Sequence, residues 1–404
     1  MSYLVYADAR GRVYEDLEYR AVLRTGDRLL VPEDEELMPM PSGGSLVVLP
    51  GRAPIALNAK GQMLRYPRHG AQAVAALLPQ GYLRLLLPGY SRTQDRLPLF
   101  GYTGVAWRDG QFFVAARAVA STADLARWAP ASFNTTLLAE LVEVRRAELG
   151  KNRVLEQLIH CSLHYGCFTA QNIIYRRLEG ALPISPHCNA SCVGCISLQS
   201  SECCPAPQNR ISFVPTKDEG VRLAVAHLSG GGDMVSFGQG CEGEPLLQAE
   251  LAADIIRGVR GETKEGRINA NTNAGYLAGV KKVVDAGIDS LRVSLNSVRQ
   301  ESYDPYYRPA GYTLADVVKS IHYAREHGVY VALNLLSMPG VTDREEEVAA
   351  LLAFLTATKV NQVQFRNLNL DPDHYLAVQP RAQGEIIGMV ALAESVQALG
   401  VSVR

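Results

Sequence analysis

The chain changes its hydrophobic rhythm twice. From the start to residue 120 or so, short apolar runs alternate with turn residues, the pattern of many short strands. Residues 3–6, 46–49, 82–87, 104–107 and 112–116 are the clearest runs. Gly43-Gly44 and Asp109-Gly110 separate them, and Trp107-Arg108-Asp109-Gly110-Gln111-Phe112 predicts a hairpin closed by a two-residue turn. From Ser121 the spacing becomes helical: Leu137, Leu138, Leu141 and Val144 recur on one face. After a break at Gly150-Lys151, Val154, Leu155, Leu158, Ser162 and Tyr165 continue it.

Beyond residue 180 the two patterns alternate. Strands are expected at 182–187, 233–238, 267–271, 290–295, 329–335 and 362–366, with helices at 217–228, 246–259, 278–286, 314–327 and 344–356. Gly287 and Gly328 each stop a helix just before an apolar strand. Repeated strand–helix units imply an α/β fold with a parallel sheet and right-handed crossovers. A last helix at 383–399 precedes Gly400-Val401-Ser402-Val403, which reads as the start of one more strand, so a piece beyond Arg404 is expected. The predicted organisation is a small, mainly β accessory domain at 1–120, a helical linker at 121–180 and an α/β domain at 181–404.

Composition narrows the function classes. A chain of 404 residues can bury a large core. Lys plus Arg is 40 and Asp plus Glu is 41, which offers no global charge to a phosphate backbone, so nucleic acid is not expected as a partner. The first ten residues include Asp8 and Arg10 and lack the apolar centre of a signal peptide. No apolar run reaches the ~18 residues that suggest a membrane span. Eight cysteines, three of them clustered, suit a metal in a reducing compartment better than a disulfide framework, and a cytoplasmic location is expected.

The clustered three carry the chemistry. Pro186-His187-Cys188-Asn189-Ala190-Ser191-Cys192-Val193-Gly194-Cys195 sets Cys188, Cys192 and Cys195 in a C-x3-C-x2-C spacing just after a predicted strand. Three thiolates on one loop can hold three corners of an iron–sulfur cube and leave the fourth iron without a protein ligand. A structural zinc site normally takes four ligands, usually as two pairs, and no second C-x2-C pair follows. A plain iron–sulfur electron carrier or scaffold uses the same three cysteines and is the non-enzymatic alternative.

This motif resembles that of the radical S-adenosylmethionine (radical SAM) superfamily. The resemblance implies a partial (β/α)6 barrel of parallel strands and a 4Fe-4S cluster. The cluster's open iron would bind the amino and carboxylate groups of SAM and pass one electron into the sulfonium. Methionine and a 5'-deoxyadenosyl radical result, and the radical abstracts hydrogen from a substrate, here an unidentified small molecule or peptide. An external reductant such as flavodoxin or ferredoxin is implied as well.

Further residues fit the same reading. Gly238-Gln239-Gly240-Cys241-Glu242-Gly243-Glu244-Pro245 resembles the family's Gly-Gly-Glu-Pro motif with Glu242 in place of the first glycine, which implies that backbone carbonyls near Gly243 and Glu244 hold the SAM ammonium. The next strand ends in Asn271-Thr272-Asn273. The one after reads Arg292-Val293-Ser294-Leu295-Asn296, where alternation puts Arg292, Ser294 and Asn296 on one face. By the resemblance, Asn273, Arg292, Ser294 and Asn296 match positions that contact the ribose and the methionine carboxylate, with Asn334 a weaker candidate. Arg366 and Asn367 are candidates for SAM or substrate, and Asp371, Asp373 and His374 either orient a substrate or move a proton, or simply make a turn.

The family often has an aromatic residue just before the third cysteine. Here that place is Gly194, so adenine packing must come from elsewhere, with Ile196 a candidate. A second cluster on Cys161, Cys167 and the adjacent Cys203-Cys204 is the less favoured reading, because neighbouring cysteines are awkward ligands for one compact cluster. His160, Cys161, His164 and Cys167 are read as helix-packing residues, since steps of three turn away from a single face. Residues 196–215, which include Cys203 and Cys204, read as a lid or a substrate-facing insert.

Overall fold

The computed structural model describes residues 1–91, 96–129, 135–199, 206–381 and 383–404. Among them, the first part of the chain forms a nine-stranded antiparallel sheet centred on Tyr3–Ala7. That strand pairs with Val13–Ala21, Gln72–Leu77 and Val105–Arg108. The expected hairpin joins Val105–Arg108 to Gln111–Val114 with Trp107 opposite Phe112. Asp109 (φ 50°) and Gly110 (φ 78°) both take the left-handed conformation that a primed two-residue turn needs.

Four helices follow: Thr122–Trp128, Leu138–Leu149, Arg153–His164 and Phe168–Tyr175. Arg153–His164 is capped by Asn152, whose side chain accepts from Leu155 N, and buries Val154, Leu155, Leu158 and Cys161 on one side. His160 faces outward and packs on His164 and Tyr165. Cys161 and the two histidines therefore leave the helix in different directions.

The second half is a seven-stranded parallel sheet whose spatial order follows the chain: Glu179–Ala181, Met234–Phe237, Arg267–Thr272, Ser290–Leu295, Tyr330–Ser337, Gln362–Asn367 and Ser402–Val403. The first strand lies upstream of the predicted 182–187. Leu182 N still donates to Ser236 O at 2.9 Å, but Pro183 and Pro186 lack an N–H. The N–H groups of Ile184 and Ser185 go instead to the Glu242 carboxylate. The segment leaves the ladder as a buried loop.

Helix Lys217–Leu228 falls where the pattern put it, because Thr216 and Glu219 form a reciprocal capping box. The last helix is Met389–Ala398, shorter than expected, since Gly384 and Gly388 have positive φ. Two helices follow strands without having been anticipated: Gln300–Tyr307, which contains Pro305, and Pro372–Val378. Among the described residues no helix is long and apolar enough to cross a membrane.

The antiparallel part docks on the loops that leave the fifth and sixth parallel strands. Arg52 Nη2 meets Asp371 Oδ2 at 3.2 Å and Arg24 Nη1 meets Asp373 Oδ1 at 2.7 Å. Leu97 N donates to Asp371 Oδ2, and Asn367 bridges Tyr82 O and Arg84 N. Gly26 N donates to Pro339 O, and a side chain on Gly340 would place its Cβ 2.0 Å from Gly26 N. One apolar core continues across this junction from Ala21 to Val396.

Candidate active site at the carboxyl ends of the parallel strands

The cysteine loop begins a short, proline-containing stretch beyond the first strand and lies directly against the loop that follows the second. Gly243 N donates to Ser185 O and Glu244 N to His187 O, both at 2.8 Å. A Cβ on Gly243 would sit 2.0 Å from His187 O, so only glycine allows this backbone-to-backbone approach. From the other side, Val193 N donates to Tyr306 O, Ser191 N to Tyr307 O and Ala310 N to Asn189 O. The unanticipated helix Gln300–Tyr307 thus braces the loop. A Cβ on Gly194 would lie 2.8 Å from the Tyr306 hydroxyl, so Tyr306 fills the space beside the third cysteine where the family often has an aromatic residue.

Cys188, Cys192 and Cys195 are free and partly buried. Burial pushes the Cys188 thiol up, and burial with the charges of Cys195 and Cys188 pushes Cys192 up. Thiols that oppose one another's ionisation in a shared, half-dry space suit a cationic metal centre, which binds the thiolate form. Arg210 adds positive charge there, with Nη2 3.5 Å from Cys195 Sγ and Nε on Ser197 Oγ. Among the described residues no three Cys, His, Asp or Glu side chains converge as they would on a single metal ion. A cubane instead spreads its thiolates over separate corners.

Two glutamates set the loops. Glu242 Oε2 accepts from Ile184 N at 2.8 Å and Ser185 N at 2.9 Å, and Oε1 accepts from Gly238 N. It is a tie between the two loops rather than an irregular glycine replacement. Burial pushes its carboxyl up to about 8, against those backbone donors. Glu244 accepts from Thr272 Oγ1 at 2.6 Å, Asn273 N at 2.8 Å and Leu246 N at 3.1 Å, and burial pushes it up to about 7.

A pH dependence follows for Glu242. Its proton is held in the folded state and lost in the unfolded one between about pH 4.5 and 8, so each step upward in that window favours unfolding. Wild type's stability advantage over Glu242→Gln is expected to be largest near the lower end and to shrink as pH rises. Urea unfolding of both proteins across this range checks it; a gap that widens with pH contradicts it.

The other candidates divide into four groups. Asn273 joins the cysteine loop, with Nδ2 donating to Asn189 Oδ1 at 2.7 Å. Arg292, Asn334 and Arg366 gather within the sheet: Arg292 Nη1 meets Glu179 Oε1 at 2.6 Å, and Arg366 donates to Gln364 Oε1 and Asn334 Oδ1. Ser294 lies beside Asn334 in the register. Asn296 is buried and donates to Ser302 O and Tyr375 Oη, while Asn367 is engaged with the Tyr82 and Arg84 backbone. Asp371 and Asp373 hold arginines of the antiparallel part, and Asp371 also caps Pro372–Val378.

Ile196 is 41 % exposed and touches the second loop, where a Cβ on Gly240 would meet its Cδ1 at 2.5 Å. Cys161 and Cys241 are hydrogen-bonded to each other in the core, which lowers Cys161 and raises Cys241. Cys203 and Cys204 lie outside the described residues. Glu179, Arg210, Arg84 and Tyr306 are the site residues that sequence reasoning missed. Glu179 would have been found by starting the first strand three residues earlier.

Comparison with known proteins bears on the same region. GTP 3',8-cyclase of Limosilactobacillus fermentum is 29% identical over 207 residues, 49% of this chain and 56% of that protein. Probable GTP 3',8-cyclase of Methanosarcina acetivorans is 29% identical over 202 residues, 49% of this chain and 57% of that protein. The chain thus spans little more than half the length of the curated relatives it matches. A radical SAM methyltransferase from Sphaerobacter thermophilus aligns at a TM-score of 0.41 with 16% identity, over 56% of this chain and 65% of that one. Residues 182–352, from just after the first strand into the helix that follows the fifth, match the model of the Radical SAM superfamily, whose members use a 4Fe-4S cluster and SAM.

Proposed function

We propose that this protein is a radical SAM enzyme in which Cys188, Cys192 and Cys195 hold the 4Fe-4S cluster and the adjoining strand ends hold SAM. The observation that carries the reading is the contact between the cysteine loop and the Gly238-to-Pro245 loop, which leaves Gly243 no room for a side chain. The cluster, when bound and reduced, supplies one electron to the sulfonium and so a 5'-deoxyadenosyl radical for hydrogen abstraction.

The chain's own residues bind and orient. The Glu244 carboxylate is committed to Thr272, Asn273 and Leu246, so the SAM ammonium falls to backbone carbonyls beside Gly243 and Glu244. Asn273, Arg292 and Ser294 face the ribose and carboxylate. Asn296 and Asn367, whose amides already serve protein groups, act by holding Gln300–Tyr307 and the antiparallel part in place. Tyr306 and Ile196 supply the apolar surface for adenine, and Arg366 faces the substrate.

The parallel strands form the partial barrel of the family, and residues 1–120 and 121–180 are an accessory β domain and a helical linker to it. The substrate is a small molecule or a peptide, the reductant a flavodoxin or ferredoxin, and the compartment the cytoplasm. The test of SAM binding is the electron paramagnetic resonance spectrum of the anaerobically reconstituted, dithionite-reduced protein. Added SAM is expected to change the cluster signal; a signal indifferent to SAM favours the electron-carrier or scaffold alternative, and zinc without iron in anoxically prepared protein removes both.

A further inference from the structure

A cavity of about 300 Å³ lies where the antiparallel part meets the end of the sixth parallel strand. Gln80, Arg84, Thr103, Arg366, Asn367 and Asn369 line it together with apolar groups, and among the described residues its lining includes no Asp or Glu. Its volume is at the lower end of small-molecule sites.

The charges around it do not balance. Three arginines of the antiparallel part are buried: Arg24, Arg52 and Arg84. Arg24 has Asp373 and Arg52 has Asp371. Arg84 has neutral partners: Nη2 donates to Leu368 O at 3.0 Å, Ser337 O at 3.2 Å and Met338 Sδ at 3.6 Å. Its Nε and Nη1 have no acceptor although the residue is 1 % exposed. Arg366 is in a similar position. Glu179 is bonded to Arg292 at 2.6 Å and acts on Arg366 only by its charge, while the hydrogen bonds of Arg366 go to the amides of Gln364 and Asn334. Burial lowers both groups, Arg84 to about 9 and Arg366 to about 10, with the charge of Arg292 adding to the effect on Arg366 and that of Glu179 opposing it.

We propose that this cavity is an oxyanion subsite, in which Arg84 and Arg366 with the amide of Asn369 receive the carboxylate or phosphate end of the substrate. Guanidinium groups are suited to such planar or tetrahedral oxyanions, and an anion here compensates the buried charge of Arg84, whose bonds go to neutral groups. The subsite gives the accessory β domain a direct part in substrate recognition. It rests on the reading above only for calling the occupant a substrate, because anion binding itself requires neither cluster nor SAM.

The experiment is calorimetric titration of the full-length, reconstituted protein with inorganic phosphate and with acetate, against chloride at matched ionic strength, with and without saturating SAM. At least one probe is expected to bind saturably at one site, with or without SAM, and the stronger probe names the class. Arg366→Gln is expected to weaken it by roughly tenfold or more, the scale of a lost charged hydrogen bond. Arg84→Gln alters a buried group and can fail to fold, so Asn369→Asp, at an exposed position of the lining, gives the independent test and is expected to weaken binding similarly. Binding no better than chloride, binding unchanged in folded Arg366→Gln and Asn369→Asp, or displacement by SAM overturns the proposal. Oxyanion binding in a protein that never cleaves SAM would instead count against the enzyme reading alone.

Discussion

Cys192→Ala protein, reconstituted with iron and sulfide under anoxia, is expected to hold no 4Fe-4S cluster, while its far-ultraviolet circular dichroism stays that of wild type. Cys192 is the middle member of the trio, and its thiol is the one on which burial and the charges of both neighbours act together. A thiolate there is stable only when a metal supplies the opposing charge, so removing it takes away a ligand without removing a buried charge pair. The loop itself is held by backbone bonds from Ser191, Val193 and Cys195, which the substitution leaves intact. Iron and sulfide analysis decides the matter; stoichiometric cluster in Cys192→Ala would remove the C-x3-C-x2-C loop from the account.

Asp371→Ala is expected to cost about 3–5 kcal/mol of stability, the range for leaving one partner of a buried ion pair behind. Arg52 and Asp371 have side chains 0 % and 3 % exposed, and Asp371 also accepts from Leu97 N and Asp373 N. Truncation withdraws the carboxylate from a buried guanidinium and from two backbone donors at the junction. An exposed pair such as Arg117–Glu394, with both side chains more than half exposed, makes the control, and Glu394→Ala should scarcely move the urea midpoint. If Asp371→Ala unfolds at the wild-type midpoint, the junction is not held together as described.

Local signals account for what was legible in the sequence. Thr216 and Glu219 mark the start of Lys217–Leu228, and alternation marks Ser290–Leu295, so these elements lie where the pattern placed them. The cysteine spacing and the Gly-Glu-Pro turn were equally local. Two other features depended on distant partners. The first strand was misplaced because Leu182 to Ile184 is apolar and buried, yet Pro183 has no N–H to give and those of Ile184 and Ser185 are drawn off by Glu242 from beyond the second strand. Gln300–Tyr307 holds Pro305 and three tyrosines, poor helix formers, and is held by burial against the cysteine loop.

The same limit applies to charge. Asp371-Pro372-Asp373 looks like a turn or a proton-handling cluster until Arg52, 319 residues away, is found against it. Arg84 and Arg366 read as unrelated cations until the fold sets them around one cavity. Hydrophobic period reports which side of an element is buried, but not which distant polar group it will meet there.

The central claim, that the cysteine loop and its neighbouring strand ends cleave SAM, is tested most directly by incubating the anaerobically reconstituted protein with SAM and dithionite and measuring 5'-deoxyadenosine by chromatography. Accumulation of 5'-deoxyadenosine that requires both reductant and Cys192 is the predicted result. A fully loaded, reduced cluster that yields none contradicts it.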